Sequence, residues 1–338
     1  DVYKRQTLAD RYGRRLMLLR ANFGGMIILA LMGMVQSVEA LIALRLIQGV
    51  FTGTVVAAQA MVAAYTPERS SGVALGSLSA AVYMGSMVGT FVGGMFAEYF
   101  GYRYAFWGSG ILLLVAGLLV FFGAKEDFIR PKYGQPKKEG RPTRAFNDLR
   151  HVWPILVLLA AMGFARQFDT SFFPLLVQHI LGTMQGAAFW TGTISAVAAA
   201  AGFLAGIVFG RLADLVSPPK IAKFSAIFAG LFLIFHWQVQ TVLFLSIARF
   251  GMTFCAGGLD PLFQIWLAKE TPPEKRGTVF GWAATAHSVG WFLAPITSGL
   301  VASGFGIRSI YLVEALLFIG FLPLISWVVR ELSEDNHR

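Results

Sequence analysis

Charge is scarce in this sequence. Asp, Glu, Lys and Arg together make 14% of its 338 residues, too little to cover the surface of soluble domains of that total size. Cysteine is nearly absent. Cys255 stands alone, reads as a small buried hydrophobe, and rules out a disulfide framework or a CxxC site. The five histidines (His151, His179, His236, His287 and His337) are scattered, with no HExxH and no Cys/His ligand spacing, which excludes the common zinc sites. There is no G-x-x-x-x-G-K-[ST] loop, so ATP-driven work by this chain is not expected. None of Asn22, Asn147 or Asn336 begins an Asn-x-Ser/Thr sequon. No cofactor is implied.

Apolar residues fill the space that charge leaves. They reach 56% of the chain, and the mean hydropathy is +0.63. They fall in blocks of about 20 residues or more, the length that crosses a hydrocarbon core of ~30 Å. Without water to satisfy backbone polar groups, each block must be helical. Ten spans are predicted, at 16–35, 40–64, 73–97, 104–123, 152–178, 187–210, 221–238, 242–267, 278–303 and 309–329. The seventh and eighth are the least clearly separated.

The net charge of +10 would suit nucleic acid, but position matters more than the sum. Of the 28 Lys and Arg, 22 lie in one alternate set of loops, and only Arg103 and Arg308 lie in the other. This asymmetry places the basic set, including the central linker and the C-terminus, in the cytoplasm. It explains the basic balance by the bilayer, with no nucleic-acid partner, and lets the linker lie against anionic lipid.

The chain repeats itself. Leu8-Ala9-Asp10 returns as Leu212-Ala213-Asp214, and Arg45 and Gly53 return as Arg249 and Gly257, all 204 residues on. After one inserted residue the offset is 205. Thr66-Pro67 then maps to Thr271-Pro272, Gly72, Gly76, Gly85 and Gly94 to Gly277, Gly281, Gly290 and Gly299, and Arg103 to Arg308. Both Leu-Ala-Asp copies lie on the basic side, so the halves are parallel repeats. The reading is 1–123 as the first half, 124–151 as a basic cytoplasmic linker with a short surface helix near 145–150, and 152–338 as the second, six-helix half. Mapping Val152 back by 204 falls ahead of Asp1, so about 50 residues carrying two more helices are expected upstream.

Leu8-Ala9-Asp10-Arg11-Tyr12-Gly13-Arg14-Arg15 resembles the loop signature G-x-L-a-D-r-x-G-r-k of the major facilitator superfamily, with Gln6 where the leading Gly belongs. Arg45-Leu46-Ile47-Gln48-Gly49 resembles the R-x-x-Q-G motif of its drug/proton antiporters. The run Gly85 to Gly94 resembles their G-x-x-x-G-P-x-x-G-G motif, with Thr90 in the Pro position. The Pro-Glu-Ser-Pro-Arg motif of sugar porters is missing after the sixth span. The resemblance implies an all-α membrane protein of two six-helix halves, with about ten of twelve transmembrane helices present. It further implies a monomeric secondary transporter in the inner membrane, exporting drug-like small molecules in exchange for protons. A metabolite importer on the same fold is the alternative, and a non-transporting sensor or membrane enzyme a more distant one.

Site candidates follow. Asp10, Arg11, Gly13, Arg14 and Arg15 form the loop signature, which in this family latches the halves together. An intramembrane charge is a functional hypothesis by default. Arg45, Gln48, Arg166, Asp169, Arg249 and Asp260 are therefore candidates for proton coupling or the substrate cavity. Arg166 and Asp169, three apart, share a helix face and could neutralise each other, while Pro174 can open a backbone carbonyl. Gly85, Gly89 and Gly93, with Gly94 beside them, make a smooth face for close helix contact. His287 reads as a packed histidine, Glu314 as a hydrated group near the outer end of its span. Phe164, Phe168, Trp282 and Trp291 would suit an apolar drug pocket.

Overall fold

The structure is a computed structural model and describes residues 14–51, 58, 61–62, 68–124, 151–272 and 276–335. The described residues contain no strand. They form twelve helices: α1 (Arg14–Met34), α2 (Val38–Phe51), α3 (Glu68–Phe100), α4 (Tyr102–Gly123), α5 (Trp153–Gln167), α6 (Phe173–Leu181), α7 (Ala187–Leu215), α8 (Pro218–Gln238), α9 (Val242–Gly257), α10 (Leu259–Glu270), α11 (Arg276–Phe305) and α12 (Ser309–Asp335). With 242–270 counted as one, seven helical segments among them are long and apolar enough to cross a membrane. Of the other predicted spans, 73–97 lies inside α3, 40–64 is described mainly through α2, and 152–178 is not continuous.

The chain divides into two compact units, residues 1–137 and 138–338. In the first, α4 and α2 pack against α1, and α3 packs against α4. Trp107 Nε1 donates to the Ala30 carbonyl at 3.1 Å. In the second unit α5 lies along α11, α8 along α12, and α9 against both α7 and α8. The core of this unit runs through Leu158, Met162, Leu176, Leu233, Leu245, Phe263, Phe318 and Ile325, all buried.

Helix ends carry the repeat. Shifted by 204 residues, α1 lands on α8 from end to end, and α2 begins where α9 begins. Shifted by 205, the end of α3 falls on the end of α11. The packing follows: α1 pairs with α4 as α8 pairs with α12. Even one crossing point recurs. A Cβ on Gly110 would meet the Met26 carbonyl at 3.4 Å, and a Cβ on Gly230 would meet the Ala315 carbonyl at 3.4 Å. These are the same two repeat positions, with the glycine on the opposite helix of the pair. The poorly separated seventh and eighth spans are divided at Val239, Gln240 and Thr241. There Thr241 caps α9, its hydroxyl accepting from the Phe244 amide.

Two predicted spans are broken helices. The 152–178 span splits at 168–172, and the carbonyl of Asp169 accepts from both Phe172 N (2.8 Å) and Phe173 N (2.9 Å). Pro174 then stands in the first turn of α6, where its missing N–H leaves no gap. The 242–267 span turns at Gly258, against whose α-carbon the Phe209 ring leaves no room for a side chain.

The expected contact face of Gly85, Gly89 and Gly93 has no neighbour among the described residues. A Cβ at any of the three would meet nothing within 4 Å. Close approach occurs instead between α5 and α11. A Cβ on Gly290 would lie 2.1 Å from the Ala160 carbonyl, and one on Gly163 would lie 2.4 Å from the His287 carbonyl. Backbone meets backbone there, so no flexible side chain can yield. Gly290→Ala should destabilise the protein by about 3 kcal/mol. Gly281→Ala, on the same helix with open space around it, should be neutral or gain up to about 1 kcal/mol. Thermal unfolding in detergent checks the pair of variants.

Candidate functional site

A charge inside a membrane helix must find a partner or water, and the second unit collects its intramembrane charges in two tiers. The first gathers where α8 ends and α9 and α12 begin. Arg249 stands seven residues into α9 and Glu314 five into α12, or ~10 Å and ~8 Å from those helix starts. Arg249 Nη1 donates to Asp169 Oδ2. The Asp169 side chain is 0% exposed and that of Arg249 13%. The guanidinium also lies 4.4 Å from the centre of the Phe173 ring, a cation–π contact. The broken span makes this pair possible: Asp169 sits in the turn between α5 and α6, and Phe173 opens α6.

Tyr311, Glu314 and His236 complete the first tier, all fully buried. The His236 ring stacks on Tyr311 with centroids 5.4 Å apart and an 11° tilt. His236 Nδ1 lies 2.8 Å from the Phe232 carbonyl. Glu314, expected at a hydrated helix end, is instead enclosed, because α8 lies along α12 and covers this face.

The second tier lies deeper. Arg166 Nη1 donates to Asp260 Oδ2 at 2.6 Å, and His287 Nε2 approaches Asp260 Oδ1 at 3.5 Å. His287 is eleven residues into α11, ~16 Å from its start. These side chains are 22–33% exposed, so this tier is open where the first is closed. Trp291 packs beside His287 with centroids 5.4 Å apart.

The expected neutralisation of Arg166 by Asp169 does not occur. The helix breaks between them, at 168–172, so they no longer share a continuous face. Each pairs across to another helix, α5 to α10 and the break to α9.

In the first unit, Arg45 Nη1 donates to Gln48 Oε1 on its own helix at 3.0 Å and lies over the Phe106 ring at 5.9 Å. Asp10, Arg11 and Gly13 lie outside the described residues, as does the surface helix expected near 145–150. Arg14 begins α1. Arg15 donates to the Phe121 carbonyl and lies 5.6 Å over the Phe121 ring, which ties α1 to the end of α4. Of the suggested pocket aromatics, Phe168 is buried in the core, while Trp282 and Trp291 are 44% and 50% exposed. Cys255 is half-buried rather than buried and lines an apolar groove with Phe209, Phe224 and Phe254. Sequence reasoning passed over His236 and Tyr311. For Tyr311 the signal was spacing, since Tyr311 and Glu314 are three apart on one face of a helix that is otherwise mostly apolar from Ser309 to Val329.

The sequence profile of the Major Facilitator Superfamily matches residues 6–235 and 191–338. The chain belongs to the Major Facilitator Superfamily. It is 29% identical over 320 residues to the Multidrug resistance protein MdtG of Salmonella choleraesuis (strain SC-B67), covering 95% of this chain and 79% of that protein. It is 31% identical over 312 residues to the protein of that name from Klebsiella pneumoniae (strain 342), covering 91% and 75%. Among solved structures, a bacterial homolog of the human lysosomal transporter Spinster, inward-facing and occupied, aligns with a TM-score of 0.68 at 16% identity. That alignment covers 95% of this chain and 82% of the other, and likeness at this identity concerns the fold. A superfamily member of this kind is a multi-pass membrane transporter of small molecules, not an enzyme.

In this transporter the Asp169–Arg249 pair is the contact whose loss should be felt most. Arg249→Gln leaves a fully buried carboxylate without its cation, and about 3–5 kcal/mol of stability should go with it. Asp169→Asn combined with Arg249→Gln removes both charges and should recover most of the loss. A double-mutant cycle read by thermal unfolding measures the coupling.

Proposed function

We propose that this transporter exports amphipathic, drug-like small molecules in exchange for protons. It works by alternating access in the inner membrane, with the central linker and the C-terminus on the cytoplasmic side. The observation that carries the coupling is the two-tier charge cluster of the second unit. An isolated Arg or Asp at the centre of a membrane helix costs about 2.5–3.5 kcal/mol on insertion scales. This chain keeps two arginines, two aspartates and a glutamate in one six-helix half. Neutral residues would fold at least as well, so a use for the charge is the economical explanation.

Export of drug-like compounds is supported by the printed names of relatives at 29–31% identity and by the antiporter-like segments at Arg45–Gly49 and Gly85–Gly94. The half-exposed Trp282 and Trp291 offer flat apolar faces for such a substrate. The part-exposed Arg166–Asp260–His287 tier is the proposed place where substrate occupancy is sensed. The closed Asp169–Arg249 tier is where a proton is taken up. Protonating Asp169 would release Arg249 and shift the balance between conformations.

Flux of a fluorescent lipophilic cation from proteoliposomes under an imposed pH gradient tests the reading. Transport should follow the gradient and collapse with a protonophore, and gradient-independent flux would refute the coupling. Asp169→Asn should lower gradient-driven flux at least tenfold while gradient-free exchange survives. If sugars or organic acids rather than lipophilic cations stabilise the protein against heat, the substrate class is wrong.

A further inference from the structure

Glu314 has a role that the ion pairs do not account for. Its side chain is fully buried, and neither carboxylate oxygen has a hydrogen-bond partner among the described residues. Tyr311, one turn earlier on the same face of α12, has an equally unpartnered hydroxyl, and the stacked His236 an unpartnered Nε2. The helix that carries Glu314, α12, packs against both α5 and α8, and the Asp169–Arg249 pair acts on the buried carboxyl electrostatically. His287, on α11, faces Asp260 instead.

The charges can be counted. Arg166 is matched by Asp260, and Arg249 by Asp169. An ionised Glu314 would find both arginines already matched to aspartates, and would sit out of water, without a donor and beside another carboxylate. An uncompensated buried ion costs several kcal/mol, and a neutral carboxyl avoids that. Asp169 Oδ1 is also unpartnered, so the neighbouring acid has an oxygen free to receive a proton.

We propose that Glu314 is a second proton-binding site, and that it shares one proton and one arginine with Asp169. In the arrangement seen here the proton is on Glu314 and Arg249 holds Asp169. In the alternative the O–H bond of Glu314 breaks, an O–H bond forms at Asp169 Oδ1, and Arg249 turns to the Glu314 carboxylate. No charge is gained or lost. A movement that draws α9 away from the α5–α6 break therefore shifts a proton rather than stranding an ion. The consequence for transport rests on the proton-coupling reading above, whereas the site itself does not.

Infrared spectroscopy of the purified protein reads the site directly. At neutral pH the wild-type spectrum should contain the carbonyl stretch of a buried protonated carboxyl, and Glu314→Gln should abolish it. Asp169→Asn should abolish it too, because Arg249 then claims Glu314 as its carboxylate. Absence of the band in wild type, or its persistence in Glu314→Gln, overturns the site. Persistence in Asp169→Asn overturns the sharing.

Glu314→Gln and Glu314→Leu should both fold and unfold within a few degrees of wild type. Failure of both would mean that an ionised carboxylate is required, and would overturn the proposal as well. In proteoliposomes Glu314→Gln should reduce gradient-driven flux at least tenfold and spare exchange. A band that belongs to Glu314 in a protein whose flux ignores the pH gradient would sink the transport reading and leave the proton site standing.

Discussion

The Asp169–Arg249 pair joins the break between α5 and α6 to α9, and the second unit is arranged around keeping that pair matched. Asp169 is fully buried, so its charge is tolerable only while Arg249 stays against it. The break fixes where Asp169 can be, and Pro174 and the doubly bonded Asp169 carbonyl fix the break. The α5 helix that leads into it is held on α11 by backbone-to-backbone approach at Gly163 and Gly290. Side chains at those glycines would push α5 outward and carry Asp169 with it. Packing at one place and charge matching at another are therefore a single constraint.

That constraint could be read only in part from the sequence. The spans, the repeat and the family were accessible because hydropathy, basic loops and repeated Gly and Arg positions leave marks that need no partner to be interpreted. Arg166, Asp169, Arg249 and Asp260 stood out for the same reason. The pairing scheme did not, because helical spacing predicts partners along a helix and these charges chose partners across helices. An unbroken 152–178 helix put Arg166 and Asp169 on one face, whereas the turn at 168–172 sends them to α10 and α9. Glu314 was misplaced in a similar way. Position near a helix start suggested water, but α8 and its His236 cover that face of α12.

The two units show what a repeat preserves and what it releases. Most helix ends, and the pairing of α1 with α4 and of α8 with α12, are kept to within a few residues. Residue identity is not, even where geometry is tight. At the crossing of α1 with α4 the small residue is Gly110, opposite Met26; at the crossing of α8 with α12 it is Gly230, opposite Ala315. Close approach needs one side chain missing, and either helix can supply the gap. Thr90 and Pro295 make the same point. Pro295 has no N–H to give the preceding turn, and the Thr90 hydroxyl donates to the Ser86 carbonyl one turn back at 2.9 Å. Each alters the hydrogen bonding of its helix at the equivalent position by different chemistry.

Arg45 and Arg249 occupy the same repeat position and have different partners, and one further substitution explains why. Three residues along α2 from Arg45 is Gln48, whose amide oxygen accepts from the guanidinium at 3.0 Å. Three residues along α9 from Arg249 is Met252, a poor acceptor. Arg45 can therefore be satisfied within its own helix by a neutral group, and among the described residues no carboxylate pairs with it. Arg249 has no such local acceptor and takes a carboxylate from elsewhere in the fold, which cancels its charge and permits its burial. A neutral partner does not change charge near neutral pH, while a carboxylate can. The exchange of one acceptor for a thioether thus turns a locally anchored arginine into one end of a buried ion pair, and it places that pair at the break in the first helix of the second unit.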